Sequence, residues 1–257
     1  AASVLTSPAA PVAAVTSVGR VLTVRAGEIA DGAGRTRGAG AAELLGLNKG
    51  EAARALVVEG GEHLVLVTAD GVAKRLTADE VMGTKSGKTV IALKGNDRVV
   101  AAFRAPEGLD IGIVASDGQL LRLPVDTVSV QGRGAGGVAG MKLRGDARVV
   151  GAGVLLGDGG VFVVTDAGGA KATPYEDLPT KGRGGQGVRL TRLADGESLT
   201  QAWFGASSGD LLAQMADDDD HRKLDPHPVP VELEPTARDL VPARTERQIL
   251  VLAPGRW

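Results

Sequence analysis

The sequence predicts an all-β protein built from short antiparallel strands, gathered into propeller-like blades round an axis. Three observations carry this. A hairpin signal recurs along the chain, with small polar residues and a glycine set between two apolar runs. A second turn signal follows each hairpin and leads into another apolar strand. The repeat has a period of about 47 residues and holds roughly four short strands, which is the signature of blades rather than of helical repeats. No stretch shows convincing helical periodicity.

The elements follow in order. Residues 1–12, with Pro8 and Pro11, read as linker and first strand, and residues 13–257 as one domain. The hairpin signals are VTSVGRVLTV (15–24), VTADGVAKRL (67–76), VASDGQLLRL (114–123) and VTDAGGAKAT (164–173). GASSGDLLAQ (205–214) is a looser fifth copy. The second signals are LNKGEAARAL (47–56), LKGNDRVVAAF (93–103), LRGDARVVGAG (143–153) and LADGESLTQAW (193–203). A third station lies between them. Gly87, Gly134 and Gly184 each fall 16 residues after a hairpin glycine, in glycine- and cation-rich boxes. From about residue 215 the chain turns acidic and proline-rich, and it reads as an irregular last blade or tail.

Composition narrows the function. Of 257 residues, 43% are hydrophobic but only 2% aromatic, so the core must be Val, Leu and Ala. No run of 18 apolar residues suggests a membrane span, and AASVLTSPAA (1–10) lacks the marks of a signal peptide. The missing initiator Met suggests a fragment of a longer protein. Cysteine is absent, which excludes disulfides, thiolate metal sites and a cysteine nucleophile. His63, His221 and His227 are too scattered for a zinc site, and Asp217–Asp220 reads as a solvated acidic loop. Net charge is −2, yet it is unevenly spread. Residues 181–192 carry four cations and no acid, while residues 131–148 and 84–98 each carry four cations against one acid. A nearly neutral chain can therefore still present a basic stripe.

The hairpins, the boxes and the L-x-x-G-D-x-R-V-V stretches, as in MKLRGDARVVGAGVL (141–155) and IALKGNDRVVAAF (91–103), resemble the C-terminal DNA-binding domain of the type IIA topoisomerase A subunit, shared by gyrase and topoisomerase IV. The resemblance covers about residues 13–205. It implies a β-pinwheel of five or six blades, whose neighbours exchange a strand and whose outer loops hold DNA. Gyrase carries a box resembling Q-R/K-R-G-G-R/K-G. The stretch Lys181-Gly182-Arg183-Gly184-Gly185-Gln186-Gly187 is similar but departs at Lys181, Gly182 and Gln186. Those departures look more like topoisomerase IV, and the stretches DGQLLRLPVDTVSVQGRGAGGVAGMKL (117–143) and YEDLPTKGRGGQGVRLTRLADGESLTQAWFGA (175–206) resemble actinobacterial topoisomerase IV A subunits. The resemblance implies double-stranded DNA as partner, together with the ATPase B subunit of the topoisomerase. The remainder of its A subunit is a further implied partner. The resemblance places ATP and Mg2+ elsewhere in the holoenzyme, with no cofactor, metal or catalytic group in this stretch. It also implies a monomeric, non-catalytic domain that is cytoplasmic and nucleoid-associated.

The chemistry of the boxes suits phosphate. Lys and Arg neutralise it, Arg can fork onto two oxygens, and glycine lets backbone N–H groups come close. The candidate DNA contacts are Lys181, Arg183, Gly184, Gly185, Gly187, Arg189 and Arg192, then Arg133, Lys142 and Arg144, then Lys85, Lys88 and Lys94. Arg35 and Arg37 in GRTRGAG (34–40) are the first blade's counterpart. The bland readings stand beside these: glycine loops are often only turns, and surface cations are often merely solvated. Lys74, Arg75 and Arg122, just after hairpin turns, read as plain surface. Tyr175 reads as structural, and Trp203 and Phe204 as core.

Two boxes also fit G-x-G-x-x-G, but apolar alternation follows them where a dinucleotide site needs a helix. A propeller-like protein-interaction platform remains as an alternative function, supported by the modest net charge. The acidic balance of 211–257 suggests that this segment competes with DNA for the basic loops, so deleting 215–257 is expected to tighten binding.

Overall fold

The computed structural model describes residues 6–29, 40–61, 63–205, 211–216, 229–230 and 233–254. Arg35, Arg37, Asp217–Asp220, His221 and His227 lie outside the described residues. Internal contacts group the chain into two units, residues 2–107 with 128–138, and residues 108–127 with 139–257.

The first unit holds two antiparallel sheets. Strands Pro11–Thr16 and Val21–Arg25 form a hairpin, and Ala53–Val57 pairs with Pro11–Thr16. Strands Leu64–Thr68 and Val72–Leu76 form the next hairpin, Val99–Arg104 pairs with Leu64–Thr68, and Val138–Ala139 borders Val72–Leu76.

The second unit repeats the plan. Asp110–Ala115 and Gln119–Pro124 are flanked by Val149–Val154 and Val188–Arg189. Gly160–Thr165 and Gly169–Pro174 are flanked by Leu199–Gly205 and Ala243–Arg244. Leu211–Met215 lies between Ile249–Pro254 and Val229–Pro230.

In each complete sheet the last strand arrives from beyond the next hairpin. Residues 87–90 return to the first hairpin through Val21 N–H to Lys88 O and Val90 N–H to Gly19 O, both 2.8 Å. Residues 188–190 return to the 110–124 hairpin, where Leu190 N–H reaches Gly118 O at 2.9 Å. Each repeat is thus completed by its successor.

The repeated V-T-x-x-G sequence has a local cause. Gly71 N–H donates to Thr68 O (3.1 Å), closing the turn, and the Thr68 hydroxyl accepts from Val72 N–H (3.2 Å). In the fourth hairpin the Thr165 hydroxyl accepts from Gly169 N–H at 2.9 Å. Each threonine therefore satisfies a turn donor that would otherwise be orphaned. A bulge follows at the same place, between Val67 and Thr68 and again between Val164 and Thr165.

Central strands such as LVLVT and GVFVVT are buried at every residue, on both faces. That calls for continuous Val and Leu rather than alternation. In the first unit Ala13, Val15, Leu64, Leu66, Leu76 and Val99 share one core. In the second, Val114, Leu120, Val161, Val163, Tyr175 and Leu190 share another.

Three expectations are corrected here. Lys74 and Arg75 are buried and Arg122 is half-buried, because their strands are covered on both sides. Arg122 bonds Asp110 (2.6 Å) and the carbonyls of Tyr175 and Leu178. Among the described residues two five-residue helices are present, Ala41–Leu45 and Ala78–Met82. The second has a readable start in T-A-D-E, since the Thr77 hydroxyl accepts from Glu80 N–H at 3.1 Å. Finally, the box glycines that match in space are Gly87, Gly137 and Gly187, which are fifty residues apart. Ala92 N–H bonds Ala135 O, and Lys142 N–H bonds Gly185 O, which fixes that register. The 16-residue spacing holds only for Gly87. A helix takes up the chain before that box, whereas the short 3-10 turns Val125–Thr127 and Tyr175–Asp177 precede the other two.

Candidate nucleic-acid interface

Each box leaves its hairpin through one of these short helices, then runs extended beside the preceding hairpin. Gly137 and Gly187 anchor the second and third boxes, while Gly87, with nothing within 4 Å of where a Cβ would sit, is held by its N–H to Val21 O at 2.7 Å. Gly137 and Gly187 have φ of +89° and +78°, which side chains avoid. A Cβ on Gly137 would meet Ala73 O at 2.8 Å, and one on Gly187 would strike the Leu120 carbonyl. These glycines let backbone pack on backbone. Gly134 and Gly182 differ: nothing lies within 4 Å of where a Cβ would sit. Gly184 and Gly185 are partly buried.

The cations of the boxes are on the surface. In the first unit Lys85, Lys88, Lys94 and Arg133 are exposed. Arg133 sits beside Glu80, whose carboxylate accepts from Arg133 N–H at 3.4 Å. In the second unit Lys142, Arg144, Lys181, Arg183, Arg189 and Arg192 are exposed.

The boxes are tied to one another. Gly184 N–H donates to Gly140 O at 2.6 Å. Arg183 donates from Nη1 to Ala139 O (2.8 Å) and from Nε to Thr127 O (3.0 Å). Arg144 donates to Gln186 Oε1 at 3.0 and 3.2 Å. Gln186 stands where a basic residue is expected, and here it orients one instead. Lys142, Arg144 and Arg183 are thereby gathered at one junction.

Arg189 and Arg192 share an acid. Asp239 Oδ1 lies 3.3 Å from Nε of each. The Arg192 hydrogen bond, with Arg189 and Arg238 nearby, holds the Asp239 carboxyl below the usual carboxylate range.

Asp239 belongs to a fourth box that sequence reasoning missed. Thr236 N–H bonds Ala172 O as Lys181 N–H bonds Arg122 O and Gln131 N–H bonds Arg75 O. Arg192 N–H bonds Leu240 O as Lys142 N–H bonds Gly185 O. Arg238 thus takes the place of Arg183, and Asp239 that of Gly184, with a left-handed φ of +65°. The surviving signal is the arginine spacing in PTARDLVPAR. Leu240 and Val241 are exposed there.

Tyr175 is buried, and burial pushes its phenol up to about 12. It packs in the second unit's core as a structural residue. Among the described residues no group of three or more His, Asp or Glu is arranged to hold a metal ion, and no helix is long and apolar enough to cross a membrane.

Strand-exchanged four-stranded sheets joined by glycine- and cation-rich loops define a propeller-class protein of the β-pinwheel kind. Residues 62–106, 113–155 and 161–202 match the family model of the DNA gyrase C-terminal domain, a β-propeller. These make up half of the chain, and the chain belongs to that family.

It is 32% identical over 187 residues to the DNA gyrase A subunit of Mycobacterium leprae (strain TN), a match covering 70% of this chain and 15% of that protein. The corresponding protein from Mycobacterium tuberculosis (strain ATCC 25618 / H37Rv) is also 32% identical over 187 residues, covering 70% of this chain and 22% of its own length. The chain therefore spans less than a quarter of these relatives. In structure it is similar to the C-terminal domain of DNA topoisomerase IV, with a TM-score of 0.82 and 18% identity over 96% of this chain and 79% of that one. Its TM-score to the DNA gyrase A C-terminal domain is 0.73, with 17% identity over 97% and 83%.

Proposed function

We propose that this chain binds double-stranded DNA without sequence preference and bends it, as the C-terminal part of a type IIA topoisomerase A subunit. The observation that carries this is the recurrence of exposed cations on loops set fifty residues apart and hydrogen-bonded to one another. Phosphate neutralisation needs such cations but no base-reading group. The chain presents DNA, while an ATPase B subunit joins the remainder of the A chain in strand passage. ATP and Mg2+ act there, and the whole works in the cytoplasm on the nucleoid, with this domain a monomer.

A topoisomerase IV role, guiding DNA for decatenation and relaxation, is favoured. Its support is the broken box at Lys181, Gly182 and Gln186 and the higher structural similarity to the topoisomerase IV domain. Gyrase-type wrapping is the second reading, supported by the gyrase A relatives. Supercoiling against decatenation by the reconstituted enzyme separates the two.

The test of DNA binding itself is a salt titration. Affinity for a duplex should fall steeply with salt, with an exponent near 0.9 per phosphate contact. The Lys181/Arg183/Arg189/Arg192→Ala variant should bind more weakly and with a shallower slope. Equal binding by the two proteins at low salt would leave the protein-interaction reading instead.

A further inference from the structure

The loop carrying Arg133 is held from beneath by a lysine that DNA never reaches. Lys74, on the second strand of the 64–76 hairpin, is fully buried. Its Nζ donates to four backbone carbonyls: Val90 (2.7 Å), Gly132 (2.8 Å), Arg133 (3.2 Å) and Ala135 (2.7 Å). Val90 lies on the strand returned by the first box, and the other three belong to the second box. An ammonium has three protons, so four acceptors saturate it. Burying a charge is costly unless such partners converge on it, and an apolar residue would pack there at less cost.

The arrangement recurs. Lys171 stands three residues after its hairpin glycine, as Lys74 does. It is also buried; its Nζ donates to Thr173 Oγ1 on its own strand at 2.5 Å and reaches Leu190 O and Thr236 O, in the third and fourth boxes, at 3.4 Å. Leu22 and Leu121 hold the same place in the other two hairpins, so the fold itself does not demand a lysine there.

We propose that Lys74 is a positioning residue for DNA binding, its ammonium pinning the Gly132–Ala135 backbone to the returned strand and so fixing where Arg133 presents its guanidinium. Lys171 bridges the third and fourth boxes by longer contacts, one carbonyl in each. The proposal rests on the DNA-binding reading above.

The experiment uses the whole chain and a 40-base-pair duplex, with four proteins: wild type, Lys74→Met, Arg133→Ala and the double variant. Amide hydrogen exchange follows residues 131–137, and affinity is measured across a salt series. Losing one phosphate contact lowers affinity about eightfold at 0.1 M salt relative to 1 M. Lys74→Met should speed exchange in 131–137, weaken binding by about that factor, and add nothing on top of Arg133→Ala. Unchanged exchange, or losses that multiply in the double variant, would overturn the proposal.

A second arm needs no core substitution. Burial pushes Lys74 down to about 8, with Glu80 opposing. Raising pH from 7 to 9.5 should therefore weaken DNA binding by wild type more than by Arg133→Ala. An equal loss in both would count against pinning. A wild type that binds no duplex at low salt sinks the DNA reading, and this role with it. The exchange data report the backbone contact separately, so the two failures are told apart.

Discussion

Asp239 stands where Gly184 stands one repeat earlier, and it reverses what that position does. Its carboxylate sits 3.3 Å from both Arg189 and Arg192, two of the cations proposed to meet phosphate. Asp is one of the few side chains that accept a left-handed backbone, so the substitution leaves the loop path intact. Asn is equally at home there and carries no charge. Asp239→Asn should therefore tighten DNA binding several-fold at low salt, the gain vanishing at high salt as screening grows. A salt-titrated binding assay checks this, and unchanged affinity would mean that neither arginine faces DNA. Deleting 215–257 would ask whether the acidic segment acts through its bulk charge. The structure makes that deletion a poor test, since it removes Ile249–Pro254 from Leu211–Met215 and Ala243–Arg244 from Gly169–Pro174. The single substitution asks the same question without dismantling two sheets.

At the scale of the element, the box divides into an anchor and an open stretch. Gly187 is the anchor: its backbone is left-handed and a methyl group would strike the Leu120 carbonyl. Gly182 is open, with nothing within 4 Å. Gly187→Ala should cost more than about 1 kcal/mol of stability in urea unfolding, while Gly182→Ala should change it by less than about 0.5 kcal/mol. Equal costs would mean that the anchor is not where the chain is held.

The same division explains what the sequence makes legible. Hairpins are readable because Thr68, Gly71, Thr165 and Gly168 sit in turns whose chemistry is local. The box register is not, because it depends on how much chain a short helix takes up before Gly87. The fourth box is hidden for a related reason. Its place is held by Thr236 N–H and Leu240 O, bonds that do not require glycine, and Asp239 keeps the left-handed backbone of Gly184, so the glycine signature is absent although the loop is retained. Lys74 escapes the pattern because alternation assumes one wet face, and its strand has none.

Across the molecule, stability and binding should respond to pH with opposite sign above neutrality. Arg20 holds the Glu51 carboxyl down to about 2, against an ordinary value of 4.5, at 2.6–2.7 Å. A depressed carboxylate stabilises the fold above its unfolded value, so that contribution is present above about 4.5 and is lost as pH falls toward 2. The buried lysines run the other way. Burial pushes Lys74 and Lys171 down to about 8 from 10.5, with Asp177 and Asp239 opposing at Lys171. Between those values the unfolded chain binds more protons than the folded one. Stability therefore rises with pH there, by at most about 1.4 kcal/mol per pH unit for each lysine. A fold with only surface lysines would show no such rise. DNA affinity should decline over the same interval, because the ammonium that pins the boxes is being discharged. Urea midpoints and duplex affinities at pH 7, 8, 9 and 9.5 measure both. A rising midpoint with falling affinity marks charged lysines kept for the loops they hold and not for the core they sit in. A midpoint that stays flat in wild type, as it should in the Lys74→Met/Lys171→Met variant, would show that burial of these charges is not opposing the fold.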